Sequence, residues 1–100
     1  MTLMADGVAC RKPDPSALEI IKAGVDRIVM ADDDEVRDAM RAYFADTHNV
    51  AEGAGAIGLA ALLKDRANGG ERVATVLTGG NVNSEVFAEV LGAGRVASLA

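Results

Sequence analysis

The sequence predicts an α/β fold, and three observations lead to this class. Two apolar stretches that contain β-branched residues, 28–31 and 72–78, have the composition of strands buried on both faces. Four segments with helical character lie before, between and after them. Because strands separated by helices pair in parallel, the predicted order is α-β-α-α-β-α around a parallel sheet.

Two such strands make only a thin sheet. Because both are predicted to be buried on two faces, each needs further neighbours. We therefore expect these 100 residues to be a single segment of a larger α/β domain, or a protomer that another chain completes. Residues 95–100 are expected to form a flexible tail.

The first helix is predicted to start after Asp14, a polar N-cap that precedes Pro15, and to stop near Gly24. A third helix is predicted from Gly55 to about Ala67, where small residues allow close packing. The last helix is predicted at residues 84–91, with a polar N-cap at Asn83 and a glycine-containing stop at residues 92–94.

Four acids, residues 32–35, begin the second helix. Their carboxylates complement the positive end of the helix dipole, and Asp32 with Glu35 has the spacing of a capping box. A divalent metal site is the alternative, which the lack of a glycine-containing calcium loop disfavours. His48 ends this helix, and a surface role is favoured over catalysis for this only histidine. The apolar face of the helix is predicted to be core: Val36, Ala39, Met40, Tyr43 and Phe44.

Charge and composition exclude several classes of partner. The net charge of −5, without a basic cluster, argues against nucleic acid. The lone Cys10 cannot form an internal disulfide and fits a reducing compartment. No apolar run approaches the roughly 20 residues of a membrane span, and the first residues lack the pattern of a signal peptide. We expect a cytoplasmic protein that binds neither nucleic acid nor membrane.

Gly53, Gly55 and Gly58 match the dinucleotide pattern G-x-G-x-x-G. That pattern requires a strand directly before it and an acid about 20 residues later to bind the ribose. This sequence has neither feature, so a nicotinamide or flavin dinucleotide site is a disfavoured alternative.

The stretch Thr78, Gly79, Gly80 and Asn81 is a stronger candidate for a binding site. It follows the second predicted strand, at the edge where open α/β sheets bind ligands. Glycine allows close backbone approach, and the hydroxyl and amide supply hydrogen bonds. An ordinary strand-to-helix turn is the alternative. Glu52 precedes a helix among small residues, so its carboxylate either caps that helix or faces a ligand.

Four stretches in order resemble the C-terminal third of the serine/threonine dehydratases, and the likeness covers roughly residues 2–91. These stretches are ADGV at 5–8, VDRIVMA at 25–31, AEGAGAIGLAALL at 51–63 and VLTGGNVN at 76–83. The family consists of lyases that use pyridoxal phosphate (PLP) and have the tryptophan-synthase-β-like fold. The resemblance therefore implies PLP as cofactor and a fragment of that parallel-sheet fold.

The resemblance also implies roles for individual residues. The Thr78 hydroxyl would bind the pyridine nitrogen of PLP, at a position where serine is commoner in the family. A neutral hydroxyl does not force the pyridine to protonate, which leaves a milder electron sink adequate for α-proton removal and β-elimination. Glu52 would lie near the ring. Gly53, Ala54 and Gly55 would form part of the wall beside Glu52. Gly79, Gly80 and Asn81 would shape the turn beneath the pyridine.

The family's Schiff-base lysine, substrate-carboxylate loop and tetraglycine phosphate loop all precede the region that this sequence resembles. Lys12, Lys22 and Lys64 lie outside any such motif. The resemblance implies a threonine or serine dehydratase that releases a 2-oxo acid and ammonia when intact, and a truncated, inactive chain in isolation. Its implied partners are a small amino-acid substrate and the missing N-terminal segment.

A non-catalytic α/β module is the alternative function. Such a module would self-associate through its apolar strand edges and helix faces without binding PLP. In both readings we expect that the isolated chain is not a simple monomer.

Overall fold

Four α-helices make up most of the computed structural model, which describes residues 4–10 and 12–99 and the side chains of residues 4–10 and 12–92. The helices and two short 3₁₀ turns follow one another as Asp6–Val8 (3₁₀), α1 (Pro15–Gly24), α2 (Asp33–Thr47), α3 (Gly53–Lys64), Arg66–Asn68 (3₁₀) and α4 (Ser84–Leu99). No helix in this part of the chain is long and apolar enough to cross a membrane.

The prediction of an α/β fold with the order α-β-α-α-β-α is wrong for the described residues, which contain helices and no β-strand. Residues 28–31 and 72–78 make no backbone hydrogen bonds with each other or with any other described residue. A strand requires a neighbour that donates and accepts along its edge, and the rest of the described chain offers none. The composition of these two segments suits a sheet, but no described residue pairs with them.

The first two helices begin where the sequence predicts. Asp14 accepts hydrogen bonds from the Ser16 backbone N–H at 2.9 Å and from the Ser16 hydroxyl at 2.8 Å. Both bonds stabilise the carboxylate and hold the pKa of Asp14 below its usual value. Asp32 accepts from the Glu35 N–H at 2.8 Å, and Glu35 accepts from the Asp32 N–H at 2.9 Å.

The capping interpretation of the acidic cluster at residues 32–35 is therefore confirmed. Among the described residues, no three His, Cys, Asp or Glu side chains are grouped so that they could hold a metal ion. At the other end of α2, His48 lies in the left-handed region with φ 57°. Its backbone N–H donates to the Phe44 carbonyl oxygen at 3.0 Å, so His48 is an exposed cap of the helix.

The later helices differ from prediction at their ends. α4 begins at Ser84 as predicted, because Asn83 accepts a hydrogen bond from the Glu85 N–H at 2.8 Å. Its backbone stays helical to Leu99, beyond the predicted end at Leu91. α3 begins two residues earlier than predicted, and its small residues are buried as expected: Gly53, Gly55, Ala56 and Ala60.

The core is small and aliphatic, and α2 packs there against α3 and α4. Its largest fully buried side chains are Met40 and Val36. The other buried members of the cluster are Ala39, Ala51, Ala56, Ala60 and Val90. Because alanine and glycine dominate α3, its backbone can approach neighbouring segments closely, which positions the residues around its N-terminus.

Two ion pairs join the C-terminal end of α3 to the first turn of α2 and to the segment that precedes it. Arg27 Nε and Nη2 lie 2.7 and 2.6 Å from Asp65 Oδ2, and Lys64 Nζ lies 3.2 Å from Glu35 Oε1. Hydrogen bonds from Asn68 and Arg27 hold the pKa of the Asp65 carboxyl below its usual value. Exposed pairs contribute little stability, so their main effect is to fix where this segment lies.

The capping box can be tested by replacing one acid at a time in the first turn of α2. Asp32→Ala removes the cap of the Glu35 N–H, so we expect a loss of about 1 kcal/mol in the free energy of unfolding. Asp34→Ala is the matched control, because its carboxylate is 91% exposed and pairs only with Arg37. It should cost no more than about 0.5 kcal/mol. Urea unfolding, monitored by circular dichroism, measures the free energy of unfolding of both variants. Equal losses in the two would contradict the capping role of Asp32.

Candidate cofactor-binding site

The two glycine-rich stretches of the sequence meet in space. The Glu52 backbone N–H donates a hydrogen bond to the Gly79 carbonyl oxygen at 3.1 Å. One residue further along, Gly80 packs directly on the Val50 carbonyl oxygen, so closely that a Cβ would overlap it. Residues 50–52 therefore run beside residues 79–80, and the N-terminus of α3 lies against the turn that follows residue 78.

Glycine is required at this junction because backbone atoms of neighbouring segments occupy the space that a side chain would need. A Cβ on Gly55 would overlap the Gly79 carbonyl oxygen and lie 2.9 Å from the Gly79 nitrogen. A Cβ on Gly53 would overlap the Met4 carbonyl oxygen in the same way. The G-x-G pair thus serves close backbone packing on two sides of the α3 N-terminus.

Glu52 occupies the N-cap position of α3, but its side chain makes no capping hydrogen bond. The capping alternative for this carboxylate is therefore wrong. The carboxylate lies against Gly79, where a Cβ would overlap Oε1 and sit 3.3 Å from Cδ. The described residues supply no hydrogen-bond donor or cation to it, and the residue is only partly buried. Its oxygens are thus available to a ligand.

Thr78 and Asn81 border the same junction and are exposed. A tight turn around Asn81 is closed by the Val82 N–H, which donates to the Gly80 carbonyl oxygen at 2.9 Å. Within the described part of the chain, neither the Thr78 hydroxyl nor the Asn81 amide has a side-chain hydrogen bond. The structure therefore brings all six predicted site residues into one region: Glu52, Gly53, Thr78, Gly79, Gly80 and Asn81.

Gly7 is a neighbour of this region that was not predicted as part of the site. A Cβ on Gly7 would lie 3.0 Å from the Ala54 Cβ and 3.9 Å from Glu52 Oε2. The 3₁₀ turn Asp6–Val8 thus also borders the region around the Glu52 carboxylate. In the sequence, Asp6-Gly7 indicates only a turn, and its position depends on tertiary packing.

The residues present fit one edge of PLP. Gly79 and Gly80 let the turn lie close against Glu52 and Val50, so the turn adds no side chain at these two positions. A pyridine nitrogen accepts a hydrogen bond, and the exposed Thr78 hydroxyl can donate one. Lys64 already pairs with Glu35, so it is occupied outside this region.

Comparison with known proteins identifies the family. The family model described as "Pyridoxal-phosphate dependent enzyme" matches residues 2–79, more than three quarters of the chain. The chain belongs to this family. The resemblance seen in the sequence is therefore confirmed, and so is PLP as the cofactor of the intact enzyme.

Several curated members of the family are similar to this chain in sequence. The L-threonine ammonia-lyase of Thermotoga maritima is 37% identical over 95% of this chain. That of Geobacter sulfurreducens is 36% identical, also over 95% of this chain, and the catabolic L-threonine dehydratase TdcB of Escherichia coli is 33% identical over 89%. The chain spans only 24%, 24% and 28% of the lengths of these three relatives.

The glycine junction can be tested by adding one methyl group. Gly55→Ala places a Cβ into the Gly79 backbone, which cannot move as a side-chain tip can. We expect a loss of about 1–3 kcal/mol in the free energy of unfolding, as for other overpacked sites. Gly24→Ala is the matched control, since nothing lies within 4 Å of its added Cβ. Urea unfolding of both variants is the measurement, and a stable Gly55→Ala protein would rule out the close approach.

Proposed function

We propose that this chain supplies the pyridine-nitrogen side of the PLP site in a threonine or serine dehydratase. The observation that carries the proposal is the junction where the Glu52 carboxylate lies against Gly79, the residue that follows the exposed Thr78. The similarity to L-threonine ammonia-lyases and dehydratases supports the same reaction class. The intact enzyme would convert a small hydroxy-amino acid into a 2-oxo acid and ammonia.

Each residue of the region has a role in this proposal. The Thr78 hydroxyl would donate a hydrogen bond to the pyridine nitrogen while keeping its proton, and a neutral hydroxyl does not force that nitrogen to protonate. When bound, PLP supplies an electron sink for the electrons left at the substrate α-carbon after proton removal. Gly53, Gly79 and Gly80 let the segments of this region pack closely, since atoms of neighbouring residues fill the places that their side chains would take. Asn81 shapes the turn, and Glu52 places a carboxylate near the ring.

The reaction also needs groups that this chain does not provide. In the proposal, the remaining part of the intact enzyme contributes the lysine that holds the cofactor covalently and the loop that binds the substrate carboxylate. We therefore expect the isolated 100-residue chain to be inactive. The exposed free thiol of Cys10 suits the reducing cytoplasm, where we place the enzyme.

A self-associating module is the second candidate. The observation that favours it is the exposure of large apolar side chains outside the PLP region, among them Ile28, Met30 and Val76 at 73%, 76% and 71%. Such surface is unusual on a monomer. This candidate requires no cofactor, so PLP absorbance separates it from the dehydratase.

The experiment that tests the proposal replaces the matching quarter of the Thermotoga maritima L-threonine ammonia-lyase with this chain. We expect the chimera to show the visible absorbance of bound PLP and to form 2-oxobutanoate from threonine. In that chimera Thr78→Val, which removes only the hydroxyl, should lower kcat/KM about tenfold, the equivalent of one hydrogen bond. Thr78→Ser should keep both signals.

Thr75→Val is the control for this substitution. It makes the same chemical change three residues earlier, where the side chain packs against Gly58 of α3 instead of bordering the Glu52 region. It should leave cofactor absorbance and turnover unchanged. A Thr78→Val chimera with normal absorbance and turnover would refute the role of the hydroxyl, and a chimera that binds no PLP would refute the proposed function.

A further inference from the structure

A cavity of about 210 Å³ is bordered by α2, α4 and the segment before the first 3₁₀ turn. None of its lining residues is among the six predicted site residues. They are Met4, Arg37, Val86, Glu89 and Val90. At about 30 Å³ per water molecule, the cavity has the volume of about seven waters. Sites for drug-sized molecules begin near about 300 Å³, so this cavity suits a smaller metabolite.

The apolar part of the lining is held in place by the core. Val90 is 3% exposed and belongs to the core cluster, and Met4 packs against the same cluster. Val86 lies one helical turn before Val90 on α4 and is 38% exposed. Arg41 Nη1 of α2 donates a hydrogen bond to the Val90 carbonyl oxygen at 3.1 Å, which joins the two helices beside the cavity. The cavity therefore offers a fixed aliphatic surface to a small apolar group.

The lining also includes one cation and one anion, Arg37 of α2 and Glu89 of α4. Within the described part of the chain, these two residues do not pair with each other. Arg37 contacts Asp34 through Nη1 at 2.8 Å, and Asp34 is 91% exposed, so water screens that pair. A guanidinium has five N–H donors, which leaves Arg37 able to bind a second carboxylate. Opposite charges that border one cavity without neutralising each other suit a molecule that carries both.

We propose that this cavity binds a free α-amino acid with a short aliphatic side chain. The α-carboxylate pairs with Arg37, the α-ammonium pairs with Glu89, and the side chain lies on the valines of α4. An α-amino acid meets all three requirements because one carbon carries its carboxylate, its ammonium and its apolar group. The inference goes beyond the proposed function, since none of the six predicted site residues takes part in it.

Two simpler kinds of ligand match the cavity less well. An inorganic anion such as phosphate would be attracted by Arg37 and repelled by Glu89, and it would leave the aliphatic lining uncovered. A wholly apolar molecule would cover Val86 and Val90. It would also displace water from both charged groups without replacing their hydrogen bonds, which is costly.

The test is titration of the full 100-residue chain with L-valine in the absence of PLP, followed by calorimetry. L-valine lacks the β-hydroxyl that a dehydratase eliminates, so it is not a substrate of the proposed reaction. We expect saturable binding at one site, with a Kd of about 1 mM. Glycine should bind at least tenfold more weakly, because it buries no aliphatic group. An absence of saturable L-valine binding, or equal binding of glycine, overturns the proposal.

Two derivatives of valine assign the charged contacts without any change to the protein. L-valinamide lacks the carboxylate, and N-acetyl-L-valine lacks the ammonium group. Each should bind at least tenfold more weakly than L-valine, since each loses one charge-assisted hydrogen-bonded pair. If either derivative binds as tightly as L-valine, the corresponding contact does not exist and the proposal is overturned, whatever the variants show.

Substitutions locate the site. Arg37→Gln and Glu89→Gln should each weaken L-valine binding at least tenfold, and Arg37→Gln should leave the weak binding of L-valinamide unchanged. Glu85→Gln is the matched control on α4, because it makes the same change one turn earlier and outside the lining. Arg72→Gln is the matched control for the arginine, which is exposed and also outside the lining. Both controls should bind L-valine normally, and equal losses in control and test variants contradict the site.

The outcome is separable from that of the proposed function. Thr78→Val should bind L-valine as the unaltered chain does. A loss of binding in that variant would place the ligand at the PLP region and overturn the cavity proposal. A chimera that binds PLP, together with a chain that does not bind L-valine, supports the proposed function and refutes only the amino-acid site.

Discussion

The close approach of Gly55 and Gly79 is the contact on which the rest of the structure depends. The Gly79 backbone fills the volume that a side chain on Gly55 would occupy, which brings the N-terminus of α3 to the turn after residue 78. Close-packed interiors do not absorb an added methyl group without displacement. Glu52 and Thr78 therefore border one region because the backbones of Gly55 and Gly79 touch, and no side-chain hydrogen bond or ion pair of the described structure joins them.

Helix starts could be predicted from the sequence because their signals are local. Asp14, Asp32 and Asn83 each cap a backbone N–H two or three residues later, and all three were recognisable from residue type and spacing. The end of α4 could not be predicted in the same way. A glycine costs a helix about 1 kcal/mol relative to alanine, which is too little to end it wherever backbone hydrogen bonds continue on both sides.

The predicted α/β fold class was wrong because strand formation is not a local property of the sequence. The composition of residues 28–31 and 72–78 suits a sheet, yet a sheet exists only when other strands pair with them. The six predicted site residues were named by resemblance to a family, and they lie in one region of the structure. Two features required the tertiary structure: the proximity of Gly7 to Glu52, and the orientation of the Glu52 carboxylate toward Gly79 instead of the α3 N-terminus.

Thr78 lies where a segment without backbone hydrogen bonds in the described structure meets the glycine junction. Thr78 is the last residue of the unpaired segment 72–78, whereas Gly79 is fixed by its contacts with Glu52 and Gly55. The backbone at Thr78 is therefore held on its C-terminal side alone within the described structure, so the contacts of Gly79 decide where this residue lies.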